Sequence, residues 1–152
     1  LQQTSLNIRS LRDVDLEMLS SEKPRLRAVV FQRCKYVLEE NERVKQACNL
    51  LKTQGLKAIG SLLYASHEGL KNEYQVSCPE LDFLVDQTRD SFSFFGARMV
   101  GGGFGGCTLN LLKKDSVADF QSFISKKYSE KWGKELRTWE VNIMGGVMVY
   151  WL

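Results

Sequence analysis

The amino-acid sequence predicts an α+β fold, a four-stranded, largely antiparallel sheet with helices packed on one face. Three observations carry that expectation. Before about residue 90 the apolar residues recur at helical spacing, and beyond it the period shortens to two. A Gly-rich segment from Gly96 to Cys107 separates two of the period-two runs, and Gly145-Gly146 separates two more. Most of the helical pattern precedes the strand pattern, which argues for segregated α and β elements. The 152 residues are enough to bury a single core, and no repeat, linker or low-complexity tract divides them, so residues 1–152 read as one domain.

The first long element is an amphipathic helix from Pro24 to Thr53. Leu26, Val30, Cys34, Val37, Val44, Cys48 and Leu51 fall at steps of three, four and seven, and Pro24 sits where an N1 proline belongs. A second helix follows Gly55, with Leu56, Ile59, Leu63 and Leu70 facing inward. A third begins at Ser77 or Cys78, where Ser77 to Glu80 fits a capping box and Leu81, Leu84 and Val85 face the core. Phe94 to Val100 and Cys107 to Leu112 are the first two strands. Val117, Phe120, Ile124 and Tyr128 mark another helix that Gly133 closes. Trp139, Val141 and Ile143 alternate into Gly145-Gly146, and Val147 to Trp151 returns, which predicts a final hairpin.

Composition narrows the function. Hydrophobic residues make up 43% and charged residues 26%, which is the globular range. No apolar run reaches the ~18 residues of a membrane helix, and no basic-then-apolar stretch opens the chain, so a cytoplasmic protein without a membrane partner is expected. Cys34, Cys48, Cys78 and Cys107 contain no C-x-x-C pair, and with the single His67 they form no zinc set; no metal ligand is expected. Cys34 and Cys48 read as small buried thiols, and His67 as a packing or capping residue. Lys113, Lys114, Lys126, Lys127, Lys131 and Lys134 read as a solvated face. Without a nucleic-acid module signature they predict no nucleic-acid partner.

The segment Gly-Ala-Arg-Met-Val-Gly-Gly-Gly-Phe-Gly-Gly-Cys holds half of the twelve glycines in eleven residues. Glycines let the backbone take positive φ and approach a neighbouring group closely, as phosphate-handling loops do. Gly101, Gly103 and Gly106 satisfy G-x-G-x-x-G. A dinucleotide site needs that loop to open a helix, whereas here it enters the alternating run Cys107-Thr108-Leu109-Asn110-Leu111-Leu112. Nothing like V-A-I-K, H-R-D or D-F-G follows, so a protein-kinase glycine loop is excluded too.

Three stretches together resemble the C-terminal half of the galactokinase family of GHMP small-molecule kinases. Gly96 to Leu112 is similar to the motif G-A-R-M-T-G-A-G-F-G-G-C-T. Ser66, His67, Leu70 and Tyr74, then Val76-Ser77-Cys78-Pro79-Glu80-Leu81-Asp82, are similar to S-H-x-S-L-R-x-D-Y-x-V-S-C-P-E-L-D. A weaker likeness runs through Leu11 to Val14 and Arg33, Val37, Glu40, Arg43 and Val44. Val100 stands where the family has Thr, and Gly69, Lys71, Asn72 and Glu73 depart from the second motif on what reads as a surface turn. The sugar and catalytic signature P-G-R-V-N-L-I-G-E-H-T-D-Y and the serine-rich phosphate loop are absent.

The resemblance implies a ferredoxin-like GHMP kinase C-terminal domain whose intact enzyme transfers the ATP γ-phosphoryl group to the anomeric hydroxyl of galactose, with Mg²⁺. It implies no catalytic residue in this chain, no tight cofactor binding and no activity by the chain alone. The partner is then an N-terminal domain, with self-association through the bare interface near Phe94, Val100 and Phe104. Gly101, Gly102, Gly103, Phe104, Gly105 and Gly106 would pack near the phosphate and sugar site, supported by Arg98 and Val100. A Cβ at Gly103 would intrude on the space left for the phosphate loop. A non-catalytic sugar sensor and an N-acetylgalactosamine kinase are the alternatives.

Overall fold

A computed structural model describes residues 8–89 and 94–141. The chain divides into two compact units, Leu1–Lys113 and Lys114–Leu152. The first opens with a 3-10 turn, Leu11–Asp13, and a short helix α1, Leu16–Ser21. Ser10 and Asp13 close a capping box around the turn, and Asp15 caps α1 by accepting the Met18 N–H at 2.8 Å. After a 3-10 turn at Lys23–Arg25 come the long helix α2, Ala28–Thr53, another 3-10 turn, Leu56–Ile59, and α3, Gly60–Gly69. A π-turn, Leu70–Tyr74, and α4, Pro79–Asp86, lead to the strands. Strands β1, Phe94–Val100, and β2, Cys107–Leu112, pair antiparallel from Val100 opposite Cys107 to Phe94 opposite Leu112, with an irregularity between Phe94 and Gly96.

The α+β class and both first strands agree with the periodicity. The described residues contain a two-stranded sheet rather than the expected four. Trp139 and Val141 are not in a strand, and the Gly145-Gly146 hairpin lies outside the described residues.

Two apolar clusters build the first unit on opposite sides of α2. Val14, Leu19 and Leu38 are joined by Ile8, Leu11, Leu26, Phe31 and Cys34. Tyr36, Leu70, Leu81 and Met99 are joined by Val37, Tyr74, Val76 and Cys78. The second cluster lies beneath the glycine segment, because Met99 and Ala97 point inward from β1 and are fully buried. Leu81, Leu84 and Val85 of α4 are buried as their spacing requires.

Several element details differ from the sequence pattern. Pro24 belongs to its own 3-10 turn, and α2 starts at Ala28 after Arg27 in extended geometry. Val44, Cys48 and Leu51, expected to face the core, are exposed, as is Leu56. Apolar spacing defines a helix face without saying how far along it a partner extends. The Ser77 capping box does not form: Cys78 is the N-cap without a side-chain bond, and the Ser77 hydroxyl donates to Asp82 Oδ1 at 2.6 Å instead. Gly69 is buried rather than on a surface turn. The Tyr36 ring covers it so closely that a Cβ there would lie 2.6 Å from Tyr36 Cδ2.

In the second unit, a 3-10 turn at Lys114–Ser116 leads into α5, Val117–Trp132. Gly133 ends it at φ 63°, donating its N–H to the Ser129 carbonyl at 2.8 Å. Lys126, Lys127 and Lys131 are exposed on it, and Lys127 and Lys131 lie over the Phe123 and Trp132 rings.

What brings α3 onto β1 is a pair of glycines. A Cβ on Gly60 would collide with the Phe95 carbonyl, and one on Gly96 would lie 2.7 Å from Gly60 Cα. Backbone therefore meets backbone, and neither position has room for a side chain. Gly60→Ala and Gly96→Ala should each cost about 3 kcal/mol in urea unfolding, by forcing apart a packed contact. Gly133→Ala, in open space with only positive φ to oppose it, should cost about 1 kcal/mol.

Candidate functional site

The residues Gly101 to Gly106 form a connection between β1 and β2 that depends on left-handed backbone. Gly101 and Gly103 have φ 88°, Gly105 139° and Gly106 98°, and Phe104, a non-glycine, has φ 58°. The loop is tied down from one side. The Phe104 N–H donates to the Val76 carbonyl at 2.7 Å, and Val76 N–H in turn donates to the Leu70 carbonyl at 3.0 Å. Gly103 passes so close that a Cβ would strike the Val76 carbonyl and lie 2.7 Å from Val76 Cβ. The intrusion expected at Gly103 is thus directed at this chain's own Val76 segment. Gly101, Gly102 and Gly105 have open space where a Cβ would stand.

This contact joins two of the sequence motifs. The segment Val76 to Asp82 runs under the loop, and the Ser66-His67 pair on α3 lies against the strand that feeds it. Met99 N–H donates to His67 Nδ1 at 3.3 Å, and His67 is fully buried. Its Nε2 lies 3.4 Å from Asp82 Oδ1 without a hydrogen bond. Asp82 also accepts Ser77 Oγ at 2.6 Å and faces Lys71 Nζ at 3.3 Å. Burial holds the His67 imidazole below its ordinary pKa, and the opposing attraction of Asp82 is too weak to reverse that. The expected packing role for His67 is therefore met by a specific hydrogen bond to β1.

Arg98 has an equally definite place. Its Nη1 donates to Glu40 Oε1 at 2.9 Å and its Nε to the Met99 carbonyl at 2.9 Å. The same Glu40 oxygen accepts Ser66 Oγ at 2.6 Å, while Oε2 accepts Arg43 Nε at 2.7 Å. One carboxylate thus links α2, α3 and β1. Burial pushes the Glu40 carboxyl up, but the Ser66 and Arg43 hydrogen bonds and the Arg98 charge outweigh it, leaving its pKa below the usual value. Arg98 supports the strand leading into the loop. Val100, half-buried, pairs with Cys107 at the loop's base. The spacing alone gave no sign of the Glu40–Ser66–Arg98 connection, whose members lie 26 and 58 positions apart, or of the grouping of Ser77, Lys71 and His67 around Asp82.

The loop has backbone amides, carbonyls and one aromatic ring, and no acid, base or nucleophile. Phe104 is 77% exposed, so the ring is turned outward by the strained backbone beneath it. The apolar exposure expected here is present at Phe104, whereas Phe94 and Val100 are half-buried. Among the described residues, no group of three or more His, Cys, Asp or Glu side chains could hold a metal ion, and no helix is long and apolar enough to cross a membrane.

Residues 49–130, which include the loop and both segments beneath it, match the family described as GHMP kinases C terminal. The chain belongs to that family. Within the GHMP kinases it is similar to a galactokinase of Thermotoga petrophila, with 39% identity over 94% of this chain and 40% of the relative. It is 38% identical to a Bos taurus galactokinase over 82% of this chain and 32% of the relative. The crystal structure of Lactococcus lactis galactokinase complexed with galactose superposes with a TM-score of 0.79 at 33% identity, covering 88% of this chain and 35% of that one. The chain therefore spans about two-fifths or less of the length of these relatives.

Two outcomes test the site. Gly103→Ala should undock the loop from Val76 and expose the Phe104 amide to rapid hydrogen exchange, whereas Gly102→Ala, with open space and no positive φ, should leave that amide protected. Glu40→Gln should lower stability at neutral pH by about 2 kcal/mol, since two guanidinium groups lose their charged acceptor. The Glu40 pKa is depressed in the folded state, so its contribution is full above the ordinary carboxylate pKa and lost as pH falls through the folded value. Unfolding curves of the two proteins should accordingly converge in acid.

Proposed function

We propose that residues 1–152 are the C-terminal domain of a galactokinase, in which the γ-phosphoryl group of ATP passes to the anomeric hydroxyl of galactose to give galactose 1-phosphate. The observation that carries this reading is the 39% identity with a galactokinase across 94% of the chain, covering both the glycine loop and the segment docked under it. In this reading an N-terminal domain contributes the catalytic base and the nucleotide-binding loop. Mg²⁺ enters with ATP and draws no ligand from the described part of this chain. The protein works in the cytoplasm.

The loop from Gly101 to Gly106 faces the phosphate and sugar site and shapes it by close backbone approach. Phosphoryl transfer asks the protein mainly for positioning and for stabilisation of spread negative charge, and this loop contributes by its backbone, without supplying an acid, a base or a metal ligand. Gly101, Gly102 and Gly105 offer backbone on the open side, Gly106 turns back into β2 beside the Val100 carbonyl, and Gly103 and Phe104 anchor the loop through Val76. Arg98 and Val100 support it from β1, and Phe104 enters the interface with the N-terminal domain. Without its partner domain, the chain self-associates through the exposed face at Phe104.

Radiolabelled ATP should be converted to labelled sugar phosphate by the full-length protein with galactose, more efficiently than with N-acetylgalactosamine. The 152-residue chain alone should yield none. Micromolar ATP binding by the isolated chain would overturn the division of labour. Binding of galactose and ATP to the full-length protein without turnover would make it a sensor, and a preference for the acetylated sugar would reassign the substrate.

A further inference from the structure

We propose that His67 is a positioning residue for the Gly101–Gly106 loop, holding it through Met99 only while the imidazole is neutral, so that uptake of one proton releases the loop. The inference concerns this chain's own conformations and stands whether or not galactose is the acceptor.

The tautomer follows from the hydrogen bond. His67 Nδ1 accepts the Met99 N–H at 3.3 Å, so the neutral ring carries its single hydrogen on Nε2. A proton arriving from solvent must bind Nδ1. The Met99 N–H would then confront an N–H, donor against donor, and the bond from α3 to β1 is lost. The imidazolium keeps its Nε2–H toward Asp82 Oδ1, 3.4 Å away.

Asp82 does little to favour that cation in the docked state. Ser77 Oγ already donates to the same oxygen, and Lys71 Nζ faces the other. Glu68 on α3 and Asp86 on α4 add attraction, and Lys71 from the π-turn adds repulsion. The ring is completely buried, and burial decides the balance. The remaining nearby charges are engaged elsewhere: Arg98 of β1 and Arg43 of α2 both bind Glu40.

The cluster lies under both feet of the loop. Met99 is two residues from Gly101, and Val76, which holds Phe104, is next to Ser77, which shares Asp82 with the imidazole. A change at His67 therefore reaches the loop by two routes. Because the folded-state pKa is depressed, docking is complete above the unfolded imidazole value of about 6.5 and is lost as pH falls through the folded one.

Amide hydrogen exchange on the 152-residue chain, followed by NMR across this range, tests the proposal. After correction for intrinsic exchange, protection at Met99 and Phe104 should fall by up to about tenfold per pH unit below neutrality, the slope of a one-proton linkage. Protection at Leu38 in α2, whose opening also frees His67, should fall no faster than that slope and stay above that of the two loop amides. In His67→Asn, whose side-chain oxygen can accept from Met99 but cannot titrate in this range, the two loop amides should show no such fall. A flat profile in the unsubstituted protein, an equal fall in His67→Asn, or protection at Met99 and Phe104 that stays equal to that at Leu38 throughout would overturn the proposal. Should His67→Asn fail to fold, the ring-nitrogen shifts of the unsubstituted protein decide. An Nε2–H ring that becomes imidazolium in step with the loss at Met99 supports it, and a neutral Nδ1–H ring refutes it.

Discussion

The close approach of α3 to β1 through Gly60 and Gly96 is the constraint on which the rest of the site depends. Helical geometry places Gly60 and His67, seven residues apart, on one face of α3. Once the backbones touch at the first, the imidazole of the second is delivered to the Met99 amide. Ser66, its neighbour, then reaches Glu40 of α2, which takes Arg98 from the same strand. A side chain at either glycine would lift the helix and break these hydrogen bonds together, because each requires its partners within about 3.5 Å.

The glycine loop is built from two kinds of position. Gly103 and Phe104 are anchored, and the strain of a left-handed phenylalanine is offset by its hydrogen bond to Val76. Gly101, Gly102 and Gly105 are open, with no neighbour in the space a Cβ would take. Such a loop is held by its base while its outer side stays open.

Much of this was legible in the sequence wherever the information is local. The two strands and their glycine connection follow from alternation and from backbone freedom. The buried face of α4 follows from Leu81, Leu84 and Val85, and the end of α5 from Gly133. What escaped was set by side-chain contacts that helix and strand periodicity does not encode. Ser77 has the spacing of a cap, but Asp82 competes for its hydroxyl. Gly69 sits beside polar residues, yet Tyr36 lies over it from 33 positions earlier in the chain. Val44, Cys48 and Leu51 keep the helical period of α2 beyond the reach of the core. Within the site, the glycines announced themselves, whereas the Glu40–Ser66–Arg98 and His67–Asp82 groupings are products of the fold.

The π-turn at Leu70–Tyr74 bears on which changes this region can absorb. It widens the end of α3, and Gln75 follows in left-handed geometry at φ 61°, so that the chain arrives at Val76 with its carbonyl aimed at Phe104. The anchor is a main-chain atom, indifferent to the side chain that carries it. Asn72 and Glu73 can therefore depart from the family motif without disturbing this anchor, while the insertion or removal of a single residue between Leu70 and Val76 would turn that carbonyl away. In this stretch it is the number of residues, more than their identity, that fixes where the anchoring carbonyl points.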